Sequence, residues 1–348
     1  MNLNKKNIQK NLISNLNNIN VERLSANEIN FFKNKKILIT GVSGIIGINL
    51  LFFFNKLNVG RKTSIHIDGT YNTSLFNFVK NYFKKNKKVN FIKIDLTKKK
   101  IDKNKKYDLI FHCAGYSQPS KFLKYKGSTY KLNSNVIIDL SNNLKKNAKF
   151  IYLSTTEIYS GNESLCTEES VGLTGSTHTR SCYIDSKRFG ESYVVNCINE
   201  YLIFRACLIY GPGAKINDER VLNQVILRSI RDKKINIYGG LNQLRSNLFI
   251  SDAVIMIVKT VSKIKNKIFN LNNHKMIKLG KIISMIAKFS KKKLYNHESK
   301  MAGSPKVIRI SNGKILKTIN YKISVGIKEG LLRTIEWYKY LYFLGERK

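Results

Sequence analysis

Lys36-Ile-Leu-Ile-Thr-Gly41-Val-Ser-Gly44-Ile-Ile-Gly47 is an apolar run of strand character that breaks at a glycine turn and continues through Ile48-Asn-Leu50 as an apolar helix to Phe54. Each glycine has a physical task in such a strand, turn and helix. Gly41 permits the tight turn, Gly44 lets the backbone approach a pyrophosphate, and Gly47 allows close helix packing. The N–H groups at the start of the helix face the anion, so Ser43, Ile45 and Ile46, which fill the turn, belong to the same cradle. Asp68 closes the next apolar run, Ser64 to Asp68, 21 residues after Gly47. A carboxylate there accepts hydrogen bonds from an adenosine ribose and repels a 2′-phosphate, so the motif reads as a dinucleotide site with NAD favoured over NADP.

Further strand-like runs follow at Val89 to Asp95, Tyr107 to Cys113, Lys149 to Ser154 and Tyr201 to Arg205, with helical or loop stretches between them. That alternation predicts an α/β fold with a doubly wound parallel sheet of Rossmann type. Three regions are expected: a polar helical arm over 1–34, in which Ile8 to Ile19 show loose helical spacing; a dinucleotide-binding domain over 35–205, with later segments returning to it; and a smaller, mainly substrate-binding α/β region over 206–348.

The chain has 348 residues, 62 of them Lys or Arg and 22 Asp or Glu, a net charge of +40. A basic chain of this kind raises the question of nucleic acid, because neutralising phosphates releases counterions. The charge is spread, however, through a composition rich in Lys, Asn and Ile with only three prolines, as A/T-rich coding produces. Its densest run, Lys84 to Lys106, has eleven lysines, and the clusters Lys84 to Lys88 and Lys103 to Lys106 precede predicted strands. Ligands of open α/β sheets bind beyond the opposite, carboxyl ends of the strands. No nucleic-acid partner is therefore expected. Hydrophobic residues make up 43% of the chain, enough for a real core, which excludes a disordered or disulfide-stapled chain. Cys113, Cys166, Cys182, Cys197 and Cys207 are odd in number and lack CxxC spacing, so neither a disulfide framework nor a metal site is indicated. The most apolar stretch, Ile45 to Phe54, is too short to span a bilayer, and the polar N-terminus lacks a signal-peptide pattern, which points to a cytoplasmic protein without a membrane partner.

Tyr183 and Lys187 stand four residues apart, on one face of a helix. A tyrosine is a poor base near neutral pH, but an adjacent ammonium and an oxidised nicotinamide both favour its phenolate. Thr155, at the end of the Lys149 to Ser154 run, can bond the same substrate hydroxyl. Together the three groups can take a hydroxyl proton while hydride leaves the carbon for NAD. His66 and His112 lie in predicted strands without a second ligand or nucleophile and read as structural.

With these residues in place, the chain resembles the extended short-chain dehydrogenases/reductases that act on nucleotide sugars, over about residues 35–340. The resemblance rests on Gly41-Val-Ser-Gly44-Ile-Ile-Gly47, Asp95-Leu96, His112-Cys-Ala-Gly115, Ser154-Thr-Thr-Glu-Ile-Tyr159, Tyr183-Ile-Asp-Ser-Lys187 and Tyr210-Gly-Pro212. Within that family it is most similar to UDP-glucuronate decarboxylases, through Arg180-Ser-Cys-Tyr-Ile-Asp-Ser-Lys-Arg188, Asn217-Asp-Glu-Arg-Val221 and Gln243-Leu-Arg245. The resemblance implies that Asp95 and Leu96 border the adenine, and that Cys113, Ala114, Gly115 and Asn133 support the cofactor. It further implies that Arg220 and Arg245 hold the substrate diphosphate, that Tyr238 lies by the nucleobase, that Thr156 faces the sugar, and that the protein is a homodimer.

Glu157, two residues beyond Thr155, is the carboxylate that decarboxylases and 4,6-dehydratases carry, whereas simple 4-epimerases have a small or apolar residue there. Dehydratases add an Asp where this chain has Thr156, so decarboxylation after transient C4 oxidation is the expected chemistry. 4-Epimerisation and 4,6-dehydration are its alternatives, and a nucleotide-sensing or nucleic-acid-binding Rossmann protein is the rival of another class. Two positions depart from the family. Leu208 stands where a polar substrate contact is usual, and Lys306, with Arg309 nearby, where decarboxylases place an Arg for the sugar carboxylate.

Overall fold

The computed structural model describes residues 4–238, 240–297 and 309–345. Seven strands form the central sheet: β1 (Lys36–Thr40), β2 (His66–Tyr71), β3 (Val89–Lys93), β4 (Tyr107–His112), β5 (Leu144–Thr155), β6 (Tyr201–Ala206) and β7 (Lys267–Leu271). Their order is β7-β6-β5-β4-β1-β2-β3 and every pair is parallel. The chain builds outward from β1 through β2 to β3, then crosses back to place β4 on the other side of β1. That reversal opens a crevice at the carboxyl ends of β1 and β4, where open α/β sheets bind ligands. Helices cover both faces, which is why β1, β4 and the second half of β5 read as nearly unbroken apolar runs rather than alternating ones. The fold is therefore the doubly wound parallel sheet expected from the sequence.

The largest differences from the predicted bounds are in β2, which begins at His66 and runs to Tyr71, three residues past Asp68, and in β5, which begins at Leu144, five residues before Lys149. Later segments were expected to return to this domain, but β7 was not among the predicted strands. The extension of β2 is fixed by pairing, since Thr70 and Tyr71 are in register with Ile92 and Lys93 of β3. β7 returns to the sheet edge beside β6 after a long excursion of the chain outside the sheet.

The helix after the glycine turn, Ile45–Arg61, is apolar almost all round and buries Ile48, Leu50, Leu51, Phe52, Phe53, Phe54 and Leu57. The N-terminal helix Lys5–Asn17 buries Ile8, Leu12 and Leu16 against that helix and the C-terminal helix Ile327–Leu344. Lys56 donates to the carbonyls of Asn17 and Ile19, tying off the end of the N-terminal helix. Opposite the carboxyl edge of the sheet, a three-stranded sheet forms from Met276–Lys278, Leu244–Phe249 and Leu208–Tyr210, and two small pairs join Lys234–Tyr238 to Lys293–His297 and Arg309–Ile310 to Leu165–Cys166. The loop that connects the two parts, Gly211 to Arg220, is held from behind by the C-terminal helix: Trp337 Nε1 donates to the Ala214 carbonyl at 2.8 Å and the Tyr338 hydroxyl to the Lys215 carbonyl at 3.0 Å. Among the described residues, no helix is long and apolar enough to cross a membrane.

Candidate active site

The glycine turn is built as its spacing requires. Gly41 adopts a positive φ of 68°, and a Cβ there would meet the Ala114 backbone at 2.8 Å. A Cβ on Gly47 would meet the Gly41 carbonyl oxygen at 2.5 Å, so the helix lies against the turn with no room for a side chain. Gly44 caps the helix without a side-chain bond, and Ile45, Ile46 and Gly47, the first turn, line the crevice with no acidic residue among them. The cradle is open, narrow and lined by backbone N–H groups, which fits a dinucleotide diphosphate.

The opposite wall is the turn after β4. Cys113, Ala114 and Gly115 line the crevice, and the Ala114 N–H is anchored on Thr40 Oγ1. His112 lies between Thr40 and the Leu132 carbonyl, and burial, with the charge of Lys187, lowers its pKa to about 3. It is a neutral, structural imidazole. Asp95 and Leu96 line the far end of the crevice, with Asp95 Oδ1 accepting from the N–H and hydroxyl of Thr97.

Asn133 and Asp68 do not reach it. Asn133 is buried between Ser186, to which its Nδ2 donates, and the Tyr152 hydroxyl, so it braces the helix Ser181–Cys197 from behind. Asp68 is corrected in position: it sits mid-strand, accepts from the Tyr107 hydroxyl at 2.7 Å and from Asn90 at 3.1 Å, and has Lys105 at 3.7 Å. The residues at the crevice end of β2 are Thr70, Tyr71, Asn72 and Thr73. Counting residues from Gly47 placed the acid at the strand's end; the register of β2 decides otherwise.

Thr155, Thr156, Glu157, Tyr183 and Lys187 come together at the carboxyl end of β5, beside the glycine cradle. The first turn of the 3₁₀ segment Thr156–Tyr159 is capped by Thr155, whose hydroxyl accepts from the Glu157 N–H. Tyr183 is nearly parallel to Phe122, 4.5 Å between centroids and 5° between planes, a stack that fixes the phenol ring. Burial raises the Tyr183 pKa, the Glu157 carboxylate adds to this, and the Thr155 hydroxyl with Arg180 and Arg220 only partly offsets it. The chain's own groups thus keep the phenol protonated, and the phenolate depends on a further positive charge such as an oxidised nicotinamide. Lys187 donates to the Leu153 carbonyl at 2.7 Å and lies over the Tyr152 ring, and burial lowers its pKa to about 7.

Glu157 is gripped by Arg180, whose Nε and Nη2 reach both carboxylate oxygens at 2.6 to 3.0 Å. Arg180 also lies 4.9 Å from the Phe122 centroid, so Tyr183, Phe122, Arg180 and Glu157 form one packed unit. The sequence reading missed Phe122 and the role of Arg180. Arg180 stands three residues before Tyr183, yet no local rule pairs it with an acid 23 residues upstream. Also missed was the buried pair of Arg205 with Glu191, which takes in Ser154 and the Tyr159 hydroxyl directly behind Lys187.

A second crevice continues from the first, between Thr156, Glu157 and Arg180 on one side and Leu208, Arg220, Asn223, Arg245 and Met276 on the other. Arg220 is paired with Asp218 at 2.6 Å and also donates to the Ile209 carbonyl, while Arg245 donates to Gln243 and to the Leu244 carbonyl. Leu208, half exposed, lines both crevices at their junction. The Tyr238 side chain and Lys306 lie outside the described residues, and Arg309 is exposed on its short strand.

A parallel sheet of this order, with Thr155, Tyr183 and Lys187 gathered beside a glycine cradle, defines a Rossmann-fold enzyme of the short-chain dehydrogenase/reductase type. Residues 37–271 match the NAD dependent epimerase/dehydratase family, and the chain belongs to it. It is 24% identical over 325 residues, 88% of this chain and 72% of the relative, to UDP-glucuronic acid decarboxylase 1 of Xenopus tropicalis. Its fold is shared with a UDP-glucuronic acid 4-epimerase from Bacillus cereus, solved with UDP-glucuronic acid and NAD (TM-score 0.74, 23% identity, 88% of this chain and 100% of that one). It is shared equally with the dTDP-glucose 4,6-dehydratase DesIV of Streptomyces venezuelae, solved with NAD (TM-score 0.73, 16% identity, 87% and 96%). NAD is the cofactor of this family, and the crevice has the cradle to hold it.

Proposed function

We propose that the protein modifies a nucleotide sugar by transient oxidation at C4 followed by decarboxylation, in the manner of a UDP-glucuronate decarboxylase. The observation that carries this reading is the carboxylate of Glu157 two residues beyond Thr155, within the same packed unit as Tyr183. Residues 41–47, 95–96 and 113–115 would hold NAD, which supplies a reversible hydride acceptor. Tyr183, steadied by Phe122 and bonded by Thr155, takes the C4 hydroxyl proton and later returns it. Lys187 stands one helical turn from Tyr183, with Glu191 and Arg205 nearby. Arg220 and Arg245 face the substrate diphosphate, with Asp218 giving up Arg220 on binding. A C4 carbonyl makes a C6 carboxylate a β-keto acid, which loses carbon dioxide without a metal. In this reading 35–205, completed by β7, is the cofactor half and 206–348 the substrate half.

One observation favours 4-epimerisation as a second reading. Both oxygens of Glu157 accept from Arg180, so the carboxylate is already engaged within the protein. A relative that binds UDP-glucuronic acid and epimerises it shares the fold.

We place the protein in the cytoplasm, in keeping with five unpaired thiols. We also infer a homodimer through the helices Lys126–Asn133, Asn135–Ser141 and Ser181–Cys197, which together expose Tyr130, Ile138, Phe189 and Val195.

The test is to incubate the protein with NAD and, separately, UDP-glucuronate, UDP-glucose and dTDP-glucose, and to weigh the products. Loss of carbon dioxide is expected from UDP-glucuronate, with Tyr183→Phe abolishing it. Unchanged mass with altered retention would establish the epimerase, loss of water the dehydratase, and no reaction with any of them would refute the nucleotide-sugar reading.

A further inference from the structure

The adenosine end of the cofactor crevice lacks the acid that normally selects between the two nicotinamide dinucleotides. In dinucleotide folds a carboxylate at the end of the second strand accepts from the ribose 2′-hydroxyl and repels a 2′-phosphate. Here β1 and β2 pair from Lys36 with His66 to Ile39 with Gly69, and the Val42 N–H donates to the Thr70 carbonyl at 2.8 Å. The residue level with Gly41 is therefore Tyr71, and Asn72 and Thr73 follow it into the crevice wall. Asp68 lies three residues back, roughly 10 Å along the strand. Its oxygens are already taken by Tyr107 and Asn90, with Lys105 alongside.

What surrounds Tyr71 is cationic. Lys80 Nζ lies 5.3 Å from the Tyr71 ring centroid, and Lys215, which lines the same crevice, donates to the Ser74 carbonyl at 3.0 Å and to its hydroxyl at 3.3 Å. Of the two acids at this end, Asp95 accepts through Oδ1 from Thr97, and Asp218 is paired with Arg220. A 2′-phosphate would thus meet the Tyr71 phenol, the Asn72 amide and the Lys215 ammonium, which line this wall, where a carboxylate would have excluded it.

We propose that this crevice accepts a 2′-phosphorylated dinucleotide, so that the protein binds NADP(H) as well as NAD(H), with Tyr71 the residue that removes the usual discrimination. The proposal deepens the reading of this crevice as a dinucleotide site and rests on it. A 2′-hydroxyl loses one carboxylate acceptor here, while a 2′-phosphate gains the Lys215 ammonium of the same wall, so the two cofactors converge in affinity.

The test is binding, independent of turnover: titrate the purified full chain with NADH and with NADPH at physiological ionic strength, following nicotinamide fluorescence, without any sugar nucleotide. The expected result is an NADPH dissociation constant within tenfold of that for NADH. Tyr71→Asp is expected to weaken NADPH at least tenfold more than NADH, and Lys215→Ala to weaken NADPH selectively. NADPH bound more than tenfold weaker than NADH by the unaltered protein, or an NADH-to-NADPH ratio unmoved in both variants, overturns the proposal while leaving the dinucleotide site standing. Binding of neither dinucleotide removes both readings together.

Discussion

Replacing Lys187 by methionine should change how stability depends on pH, by an amount the structure sets. Burial draws this ammonium down from its ordinary 10.5 to about 7, against the pull of Glu191 and Cys113, which favour the charge. The unfolded chain keeps the proton up to about pH 10.5, whereas the folded chain gives it up near pH 7. Over that interval the unfolded state binds more protons, so the unaltered protein gains stability from this group as pH rises. At about 1.4 kcal/mol per pH unit the full interval corresponds to roughly 5 kcal/mol, and the stretch from about pH 7 to about pH 9.5 to roughly 3 kcal/mol. Methionine has nearly the same length and no charge, so the variant lacks this contribution. It also loses the bond to the Leu153 carbonyl, a difference of about 1 kcal/mol that does not vary with pH and cancels when trends are compared. Urea unfolding of both proteins at several values between about pH 6 and about pH 9.5, without dinucleotide, measures the two trends. The variant should be relatively more stable at the acid end, with its advantage shrinking steadily toward the alkaline end. Parallel trends, within about 0.5 kcal/mol across the range, would refute a buried ammonium that titrates near neutrality.

Two further substitutions test how the site is held. Arg205→Met leaves Glu191 buried without its partner and should cost about 3–5 kcal/mol in thermal or urea unfolding, whereas the double change with Glu191→Leu should recover much of it; a loss below about 1 kcal/mol counts against a buried pair. Trp337→Phe keeps the ring against Phe76 and Phe78 but removes the donor to the Ala214 carbonyl. It should lower stability by about 1–2 kcal/mol and speed amide exchange in the loop Gly211 to Arg220, and unchanged exchange in that loop would show that the C-terminal helix does not hold it.

The glycine turn and the Tyr183–Lys187 pair were legible because both are local. A turn that must adopt a positive φ beside a helix start, and two side chains one helical turn apart, are fixed by sequence spacing alone. Asp68 was misread because the end of a strand is not a local property. β2 continues through Gly69 and Thr70 because β1 and β3 flank it and satisfy its backbone, although glycine and threonine before Asn72 resemble a loop. β7 was invisible for a related reason: Lys267–Leu271 is short and becomes a strand only where β6 offers it an edge.

The site divides along the same line. The sequence by itself determined the parallel α/β fold and the glycine turn, and it pointed to Thr155, Tyr183 and Lys187 through strand end and helical spacing and to Glu157 through the family resemblance; all four line one crevice. Tertiary structure alone decided the surroundings of those groups: that Arg180 grips Glu157, that Phe122 stacks on Tyr183, that burial lowers the Lys187 pKa, and that Tyr71 rather than an acid stands level with Gly41. Charge, protonation and ring orientation depend on neighbours within a few ångströms, and those neighbours come from parts of the chain that sequence distance keeps apart.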